Sequence, residues 1–263
     1  MAPRRESKST MRLKRNRKQK PRVRKLPPRN LNNSKQMASS KQARKRQVQE
    51  QEHEPVSRFQ GVTPKNLAQQ LYLEAIERSD VVFGIGSAGT GKTYVAASYA
   101  AEKLFYREIS KIIVTRPNVE ASRSLGFLPG ELEEKYAPYL EPFEGVFIRA
   151  FGKSLYELFR KRGQIEPKPL GFLRGATFDN AIVLVDECQN MTEKEFKLLL
   201  TRVGENTKVI FSGDSRQVDI PDSGLMATIE RLKFIPSIET VEFYPSDIVR
   251  SDLCKQIILE YER

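Results

Sequence analysis

The eight residues GSAGTGKT, at positions 86–93, constrain this chain more than any other stretch. They follow the apolar run VVFGI and precede the helix-forming run YVAASYAAEKLFY, so the sequence predicts a strand, a glycine-rich loop and a helix. The spacing G-x-x-x-x-G-K-[ST] is typical of a loop whose backbone N–H groups surround phosphate at a helix N-terminus. We therefore predict that residues 86–93 bind a nucleoside triphosphate rather than forming a plain surface turn.

Two residues of this loop have predicted chemical roles. The Lys92 ammonium is expected to reach the β and γ phosphates, and the Thr93 hydroxyl is expected to hold Mg²⁺. The other predicted binding residues are Gly86, Ser87, Ala88, Gly89, Thr90 and Gly91.

The positive charge of the chain is concentrated at its N-terminus. Residues 1–50 contain 18 of the 45 Lys and Arg residues but only two acids, so they carry +16, while the remainder carries −4. Because this stretch is also poor in apolar residues, we predict a disordered basic tail over residues 1–58 and a folded domain over residues 59–263. Such a tail favours binding to nucleic-acid phosphates. A solubility tail, a contact for an acidic protein and an organellar transit peptide are the alternatives.

Several classes of protein are disfavoured by composition. His53 is the only histidine and precedes the predicted domain, so Ser-His-Asp catalysis, Cys-His catalysis and histidine-ligated metals lose an essential residue. Cys188 and Cys254 have no neighbouring Cys or His, which indicates packing residues in a reducing compartment. No apolar run approaches the roughly 18 residues of a membrane span. We expect a soluble, cytoplasmic protein with no membrane partner.

The domain reads as an α/β fold. A helix is predicted with Thr63 as its cap and Pro64 at its first position. Near-continuous apolar strands and intervening helical patterns predict a parallel sheet covered on both faces. The predicted strands are 81–85, 111–115, 181–185, 208–211 and 238–243, and the further helices are 92–106, 193–203, 223–233 and 249–261.

Polar residues with predicted catalytic roles follow two of these strands, at the edge where a parallel sheet binds its ligand. After strand 181–185, Asp186 is placed to hold Mg²⁺ through water and Glu187 to polarise the attacking water. After strand 208–211, the amide of Gln217 can orient a water or a phosphate oxygen.

Four arginines are candidates for contacts with phosphate. Arg116 and Arg123, after strand 111–115, and Arg174 are candidates for gripping a nucleic-acid backbone or a neighbouring subunit. Arg250 is a candidate arginine finger, acting in cis or across a subunit interface. For each of them a solvated or salt-bridged surface role is the alternative.

These motifs together resemble the PhoH family of phosphate-starvation-inducible ATPases. The resemblance rests on GSAGTGKT, TRPNVEASRSLGFLPGELEEKYAPYL, PLGFLRGATFDNAIVLVDECQN, VIFSGDSRQVD and DIVRSDL. It implies a RecA-like P-loop NTPase, related to one half of a superfamily 1 helicase, with ATP and Mg²⁺ as ligands. It also implies that Gln69 reads adenine, and that subunits can assemble into a hexameric ring.

The resemblance also has limits. The family's usual Asp-Glu-Ala-Gln-Asn is Asp-Glu-Cys-Gln-Asn here, a small change that is not expected to affect hydrolysis. Some relatives carry a fused PIN nuclease, but the two acids of residues 1–50 cannot supply its metal site, so no nuclease is expected. With one motor lobe, a monomer is not expected to unwind nucleic acid.

Two further functions stay open. A small-molecule phosphotransferase also uses a phosphate loop, although the Asp186-Glu187 pair with Gln217 favours water as the acceptor. A nucleotide-gated nucleic-acid-binding protein with little turnover is the other alternative.

Overall fold

The computed structural model describes Phe59 and residues 61–117, 136–175 and 177–261. The predicted basic tail and Arg123 lie outside these residues. No helix in these ranges is both long enough and apolar enough to cross a bilayer.

Six parallel strands form one sheet. They are β1 (Val81–Gly86), β2 (Lys111–Thr115), β3 (Ile165–Pro167), β4 (Ala181–Val185), β5 (Thr207–Gly213) and β6 (Ile238–Phe243). Their order across the sheet is β3-β2-β4-β5-β1-β6. Val81 of β1 pairs with Val209 of β5 on one side and with Ile238 of β6 on the other. Thus β5 lies between β1, which leads into the phosphate loop, and β4, which leads into the two carboxylates.

The helices connect these strands. They are α1 (Leu67–Arg78), α2 (Lys92–Phe105), α3 (Glu141–Phe151), α4 (Lys153–Lys161), α5 (Glu193–Leu200), α6 (Leu225–Leu232) and α7 (Asp252–Tyr261). Short 3₁₀ turns occupy Ala137–Leu140, Leu170–Leu173, Cys188–Asn190 and Pro245–Asp247.

Side chains alternate between the two faces of the sheet, because successive strand residues point in opposite directions. Val82 and Ile182 belong to a core that includes residues of α1, α2, α3 and α4. Phe83 and Val183 belong to a second core that includes residues of α5 and α6. Helices therefore cover both faces, and the predicted α/β fold with a parallel sheet is confirmed.

The first helix begins later than predicted. Asn66, rather than Thr63, is its N-cap, and the Asn66 side chain accepts a hydrogen bond from the backbone N–H of Gln69. Asn is the stronger capping residue, and its own amide also donates to the Asp247 carbonyl at 2.8 Å. Pro64 therefore precedes the helix instead of opening it.

Two helices and one strand were not predicted. α3 carries Phe143, Phe147 and Phe151 at intervals of four residues, and their stacked rings join the core beside α2. α4 and the edge strand β3 follow directly. The last helix was also placed too early, because α7 begins at Asp252 rather than at residue 249.

Candidate nucleotide-binding site

A cavity of about 420 Å³ opens at the carboxyl edge of the sheet. It is formed where the loops after β1, β5 and β4 lie side by side, which is the usual place for a ligand in an open α/β sheet. Most of the predicted site residues line it: Ala88, Gly89, Gly91, Lys92, Thr93, Arg116, Asp186, Glu187, Gln217 and Arg250.

The phosphate loop needs glycine at two positions. Gly86 has a φ of 135°, and a Cβ there would lie 1.9 Å from the carbonyl oxygen of Phe243 at the end of β6. Gly91 has a φ of 90°, and a Cβ there would lie 2.6 Å from Nε2 of Gln69. The motif glycines thus allow positive φ and a close approach of neighbouring groups.

The Lys92 side chain folds back over the loop. Its Nζ donates to the carbonyls of Gly86 at 2.6 Å and Ser87 at 2.8 Å, and it is only 8% exposed. Burial lowers the pKa of Lys92, and the negative charge of Asp214, followed by that of Asp186, opposes this shift. The Lys92 amino group thus lies beside the N-terminus of α2, where an anion is favoured.

Thr93 and Asp186 come together from α2 and from the end of β4. The Thr93 hydroxyl lies 3.3 Å from Oδ1 of Asp186. Burial, and then repulsion from Glu187, raises the pKa of Asp186 to about 6. A hydroxyl and a desolvated carboxylate are oxygen donors that suit Mg²⁺, which commonly takes few protein ligands and completes its shell with water and phosphate.

Glu187 has an unusual backbone. Its φ of 52° and ψ of 39° place it in the left-handed region, which is uncommon for a residue other than glycine. Its carboxylate accepts a hydrogen bond from Nε2 of Gln189 at 2.6 Å and lies 3.5 Å from Nη2 of Arg116. Outliers of this kind are concentrated at functional sites.

The loop after β5 forms the wall between the two carboxylates and the phosphate loop. Asp214 is 6% exposed and lines the cavity; its Oδ1 accepts from the backbone N–H of Arg216, and its Oδ2 is buried with no hydrogen-bond partner among the described residues. Gln217 also lines the cavity, and its backbone N–H donates to the Asp214 carbonyl in a tight turn. Asp214 and Gln189 were not among the predicted site residues. Asp214 belongs to the same polar run as Gln217, and Gln189 belongs to the Asp-Glu-Cys-Gln-Asn run that follows strand 181–185, although neither was assigned a role.

Gln69 lies behind the phosphate loop instead of lining the cavity. It is 1% exposed; its Nε2 donates to the Thr90 carbonyl at 2.8 Å, and its Oε1 accepts from the backbone N–H of Lys65 at 2.9 Å. Thr90 is fully buried, and its hydroxyl donates to the Ser87 carbonyl. Gln69 therefore braces the loop, and its contact with adenine stays a prediction.

The predicted arginines divide into two groups. Arg116 and Arg250 line the cavity, and Arg250 precedes α7 next to Val249, whose N–H donates to the Gly89 carbonyl at 3.0 Å. Arg174 is exposed, follows the 3₁₀ turn Leu170–Leu173 and does not line the cavity.

Comparison with known proteins identifies similar sequences. A family model described as PhoH-like protein matches residues 61–262. Protein PhoH of Escherichia coli (strain K12) is 43% identical over 205 residues, covering 76% of this chain and 58% of that protein. A PhoH-like protein of Bacillus subtilis (strain 168) is 46% identical over 202 residues, covering 76% of this chain and 63% of that protein. The chain thus spans about three fifths of the length of these relatives.

Comparison with solved structures gives lower similarities. The large terminase from the thermophilic bacteriophage D6E gives a TM-score of 0.46 at 14% identity, covering 74% of this chain and 50% of that chain. The Pif1 helicase from Candida albicans gives a TM-score of 0.35 at 14% identity, covering 70% of this chain and 41% of that chain.

Proposed function

Because the chain belongs to the PhoH family, we propose that it is a Mg²⁺-dependent ATPase whose hydrolysis is coupled to RNA or single-stranded DNA. The observation that carries the proposal is the convergence of Lys92, the Thr93–Asp186 pair and Glu187 on one cavity. Phosphate binding, oxygen donors for a divalent cation and a carboxylate beside them are what transfer of a phosphoryl group to water requires.

Each group has a defined task in this proposal. Lys92 exchanges its contacts with the loop carbonyls for contacts with the β and γ phosphates. Thr93 and Asp186 hold Mg²⁺, which supplies charge neutralisation at the phosphates when bound. Glu187 accepts the proton of the attacking water as the bond to the γ phosphorus forms and the bond to the leaving ADP oxygen breaks. Gln217 and Arg250 stabilise the γ phosphoryl oxygens.

Nucleic acid is the proposed activator because of charge. The net charge of +16 on residues 1–50 favours binding to a polyanion. Further candidate contacts with phosphate are Arg116, which lines the cavity, Arg123 and Arg174. We also propose a cytoplasmic homo-oligomeric ring, up to a hexamer, in which Arg250 acts within a subunit or on its neighbour.

The alternative functions differ in the fate of the γ phosphate. A small-molecule phosphotransferase needs an acceptor and releases little free phosphate. A nucleotide-gated binding protein changes its affinity for nucleic acid on binding ATP and turns over slowly.

The deciding experiment is phosphate release from ATP with Mg²⁺, with and without single-stranded RNA or DNA, alongside a Glu187→Gln variant. Release that nucleic acid stimulates, and that the variant lacks, supports the proposal. Phosphate release that neither nucleic acid changes would contradict the proposed coupling to nucleic acid. ATP binding without phosphate release would favour the alternative functions.

A further inference from the structure

Gln189 lies directly behind the two carboxylates. It is 1% exposed, sits in the 3₁₀ turn Cys188–Asn190 after β4 and is absent from the cavity lining. Its side chain makes three hydrogen bonds, all to groups that line the cavity or belong to residues lining it. Gln189 therefore contacts residues of the cavity without contacting the space where a nucleotide would react.

One amide group serves two structural elements. Nε2 of Gln189 donates to Oε2 of Glu187 at 2.6 Å and to the backbone carbonyl of Gln217 at 3.1 Å. Its Oε1 accepts from the backbone N–H of Asp214 at 3.0 Å. A carboxamide has two N–H donors, so both are used, and the acceptor oxygen is occupied as well.

The side chains of Gln189 and Arg116 both contact the Glu187 carboxylate, and the contact with Gln189 is the more rigid one. Arg116 lies 3.5 Å away and its side chain is 41% exposed, so water competes for it. Gln189 is buried, and the distance from its Nε2 to the Glu187 carboxylate is shorter. This hydrogen bond comes from the protein interior. The buried amide therefore restrains the orientation of the Glu187 carboxylate more than the exposed guanidinium does.

The loop after β5 approaches Gln189 closely because residue 213 has no side chain. A Cβ on Gly213 would lie 2.6 Å from Sγ of Cys188 and 2.8 Å from Oε1 of Gln189. A displacement of Gln217 or Asp214 by a γ phosphate would therefore be transmitted to the amide of Gln189 and through it to Glu187.

We propose that Gln189 is a positioning residue that holds the Glu187 carboxylate toward the cavity and links its orientation to the backbone of residues 214–217. The inference rests on the proposed ATPase function. Gln189 touches neither ATP nor water in this scheme; it acts through Glu187. Replacing Gln189 is therefore expected to lower the rate of turnover and to leave the affinity for nucleotide unchanged.

A neighbouring amide provides a matched control. Asn190 is 6% exposed and also ties the two loops, since its Nδ2 donates to Oδ2 of Asp219 at 2.8 Å and its Oδ1 accepts from the Asp219 N–H at 2.8 Å. Its backbone N–H donates to the Glu187 carbonyl at 3.0 Å, a bond that does not involve the side chain, and among the described residues its side chain makes no hydrogen bond with the Glu187 carboxylate. Asn190→Ala therefore loosens the same junction without removing the donor to the carboxylate.

The test compares wild type, Gln189→Met and Asn190→Ala in the full chain. Gln189→Met keeps the volume and removes the hydrogen bonds. Loss of a hydrogen bond to a charged group predicts that kcat for phosphate release falls by about 10- to 100-fold, with KM and the Kd of a non-hydrolysable ATP analogue within about threefold of wild type. Amide hydrogen exchange over residues 212–219 is expected to quicken in Gln189→Met, because the Asp214 N–H loses its acceptor.

The variants separate positioning from general loosening. The proposal is overturned if Gln189→Met keeps kcat within about threefold of wild type, or if Asn190→Ala loses as much activity. If Gln189→Met does not fold, Gln189→Glu retains an acceptor for Asp214 while replacing the donor to Glu187, and the same loss of kcat is expected. Absence of phosphate release in wild type would instead contradict the proposed ATPase function.

Discussion

Gln69 and Thr90, 21 residues apart, are joined by a buried 2.8 Å hydrogen bond from the Gln69 amide to the Thr90 carbonyl. The bond connects the first turn of α1 to the phosphate loop, so the loop is held from behind by a side chain that does not enter the cavity. Its removal tests whether the loop's shape depends on this helix.

Gln69→Ala is expected to lower the free energy of unfolding by about 1–3 kcal/mol, because a buried carbonyl loses its donor. It should also weaken ATP binding by roughly tenfold as the loop loses its support. Denaturant unfolding and ATP titration measure the two effects. Gln70→Ala is the control, since Gln70 is exposed and its side chain donates to Glu74 instead of to the phosphate loop. Equal behaviour of the two variants would show that the bond from Gln69 to Thr90 is unimportant.

Lys92→Ala is expected to abolish ATP binding while leaving the folded protein about as stable as wild type. The buried ammonium carries a desolvation cost that offsets its hydrogen bonds to the Gly86 and Ser87 carbonyls. Thermal unfolding with and without ATP checks this, since a ligand at 100 times its Kd adds about 2.7 kcal/mol to a protein that binds it. An ATP-dependent stabilisation equal to that of wild type would contradict the role of Lys92.

Glu187→Gln is expected to retain ATP binding and lose phosphate release by about 10²- to 10⁴-fold, the range for loss of a general base. Glu193→Gln is the matched control, because Glu193 pairs with Arg231 at 2.6 Å and lies away from the cavity lining. Phosphate release measures both. Turnover by Glu187→Gln at the level of the control would remove Glu187 as the base.

The hydrogen bonds of Glu239 predict that the free energy of unfolding depends on pH. Its carboxylate accepts from Nε of Arg78 at 2.6 Å and also contacts Nη2 of Arg78 and the Ser79 hydroxyl. The hydrogen bonds from Arg78 lower the pKa of Glu239, so the folded protein keeps the carboxylate ionised at a pH where the unfolded chain protonates it. The stabilisation is therefore present above the ordinary glutamate pKa and lost as pH falls through the lowered value.

Glu239→Gln should accordingly cost no more than about 1 kcal/mol at neutral pH, because Arg78 is largely exposed. The difference from wild type should shrink as the pH falls below about 4. Denaturant unfolding across pH measures it. Glu157→Gln, which alters an exposed pair with Lys153, should show little pH dependence, and a similar curve for both variants would remove the Arg78 contact as the cause.

Deleting residues 1–50 is expected to leave basal ATP hydrolysis unchanged and to flatten the salt dependence of binding to single-stranded RNA. The deleted segment carries +16, and the slope of affinity against salt reports the phosphate charges neutralised. Binding titrations over a salt series measure this. A shuffled tail of the same composition should behave like wild type, and an unaltered slope after deletion would assign nucleic-acid binding to the domain.

The strands and the phosphate loop could be predicted because their signals are local. Buried parallel strands are near-continuous apolar runs, and strands 111–115 and 181–185 have the predicted bounds. The partly buried edge strand 238–243 also has the predicted bounds. The 3₁₀ turn Ala137–Leu140 and the helix α3 were missed, although Pro138 and Pro142 lie in their first turns, where proline fits. The spacing of Phe143, Phe147 and Phe151 also indicates a helix.

The arrangement around Gln189 could not be predicted from local pattern. Its partners Asp214 and Gln217 are 25 and 28 residues away, and they meet it because β5 inserts beside β4. Sheet order is a property of the whole chain, so the distant partners of this amide cannot be identified from the residues around it, even though Gln189 itself lies in the Asp-Glu-Cys-Gln-Asn motif. The same applies to Asn66 and Asp247, which are 181 residues apart.

The backing of the phosphate loop by late residues has a consequence for biosynthesis. Gly86 packs against Phe243, Gly89 accepts from the N–H of Val249, and the cap of α1 donates to Asp247. A ribosome makes the phosphate loop before it makes these supporting residues, and domains generally fold as units during synthesis. The supports of the candidate nucleotide site are therefore complete only after about residue 250 has left the ribosome.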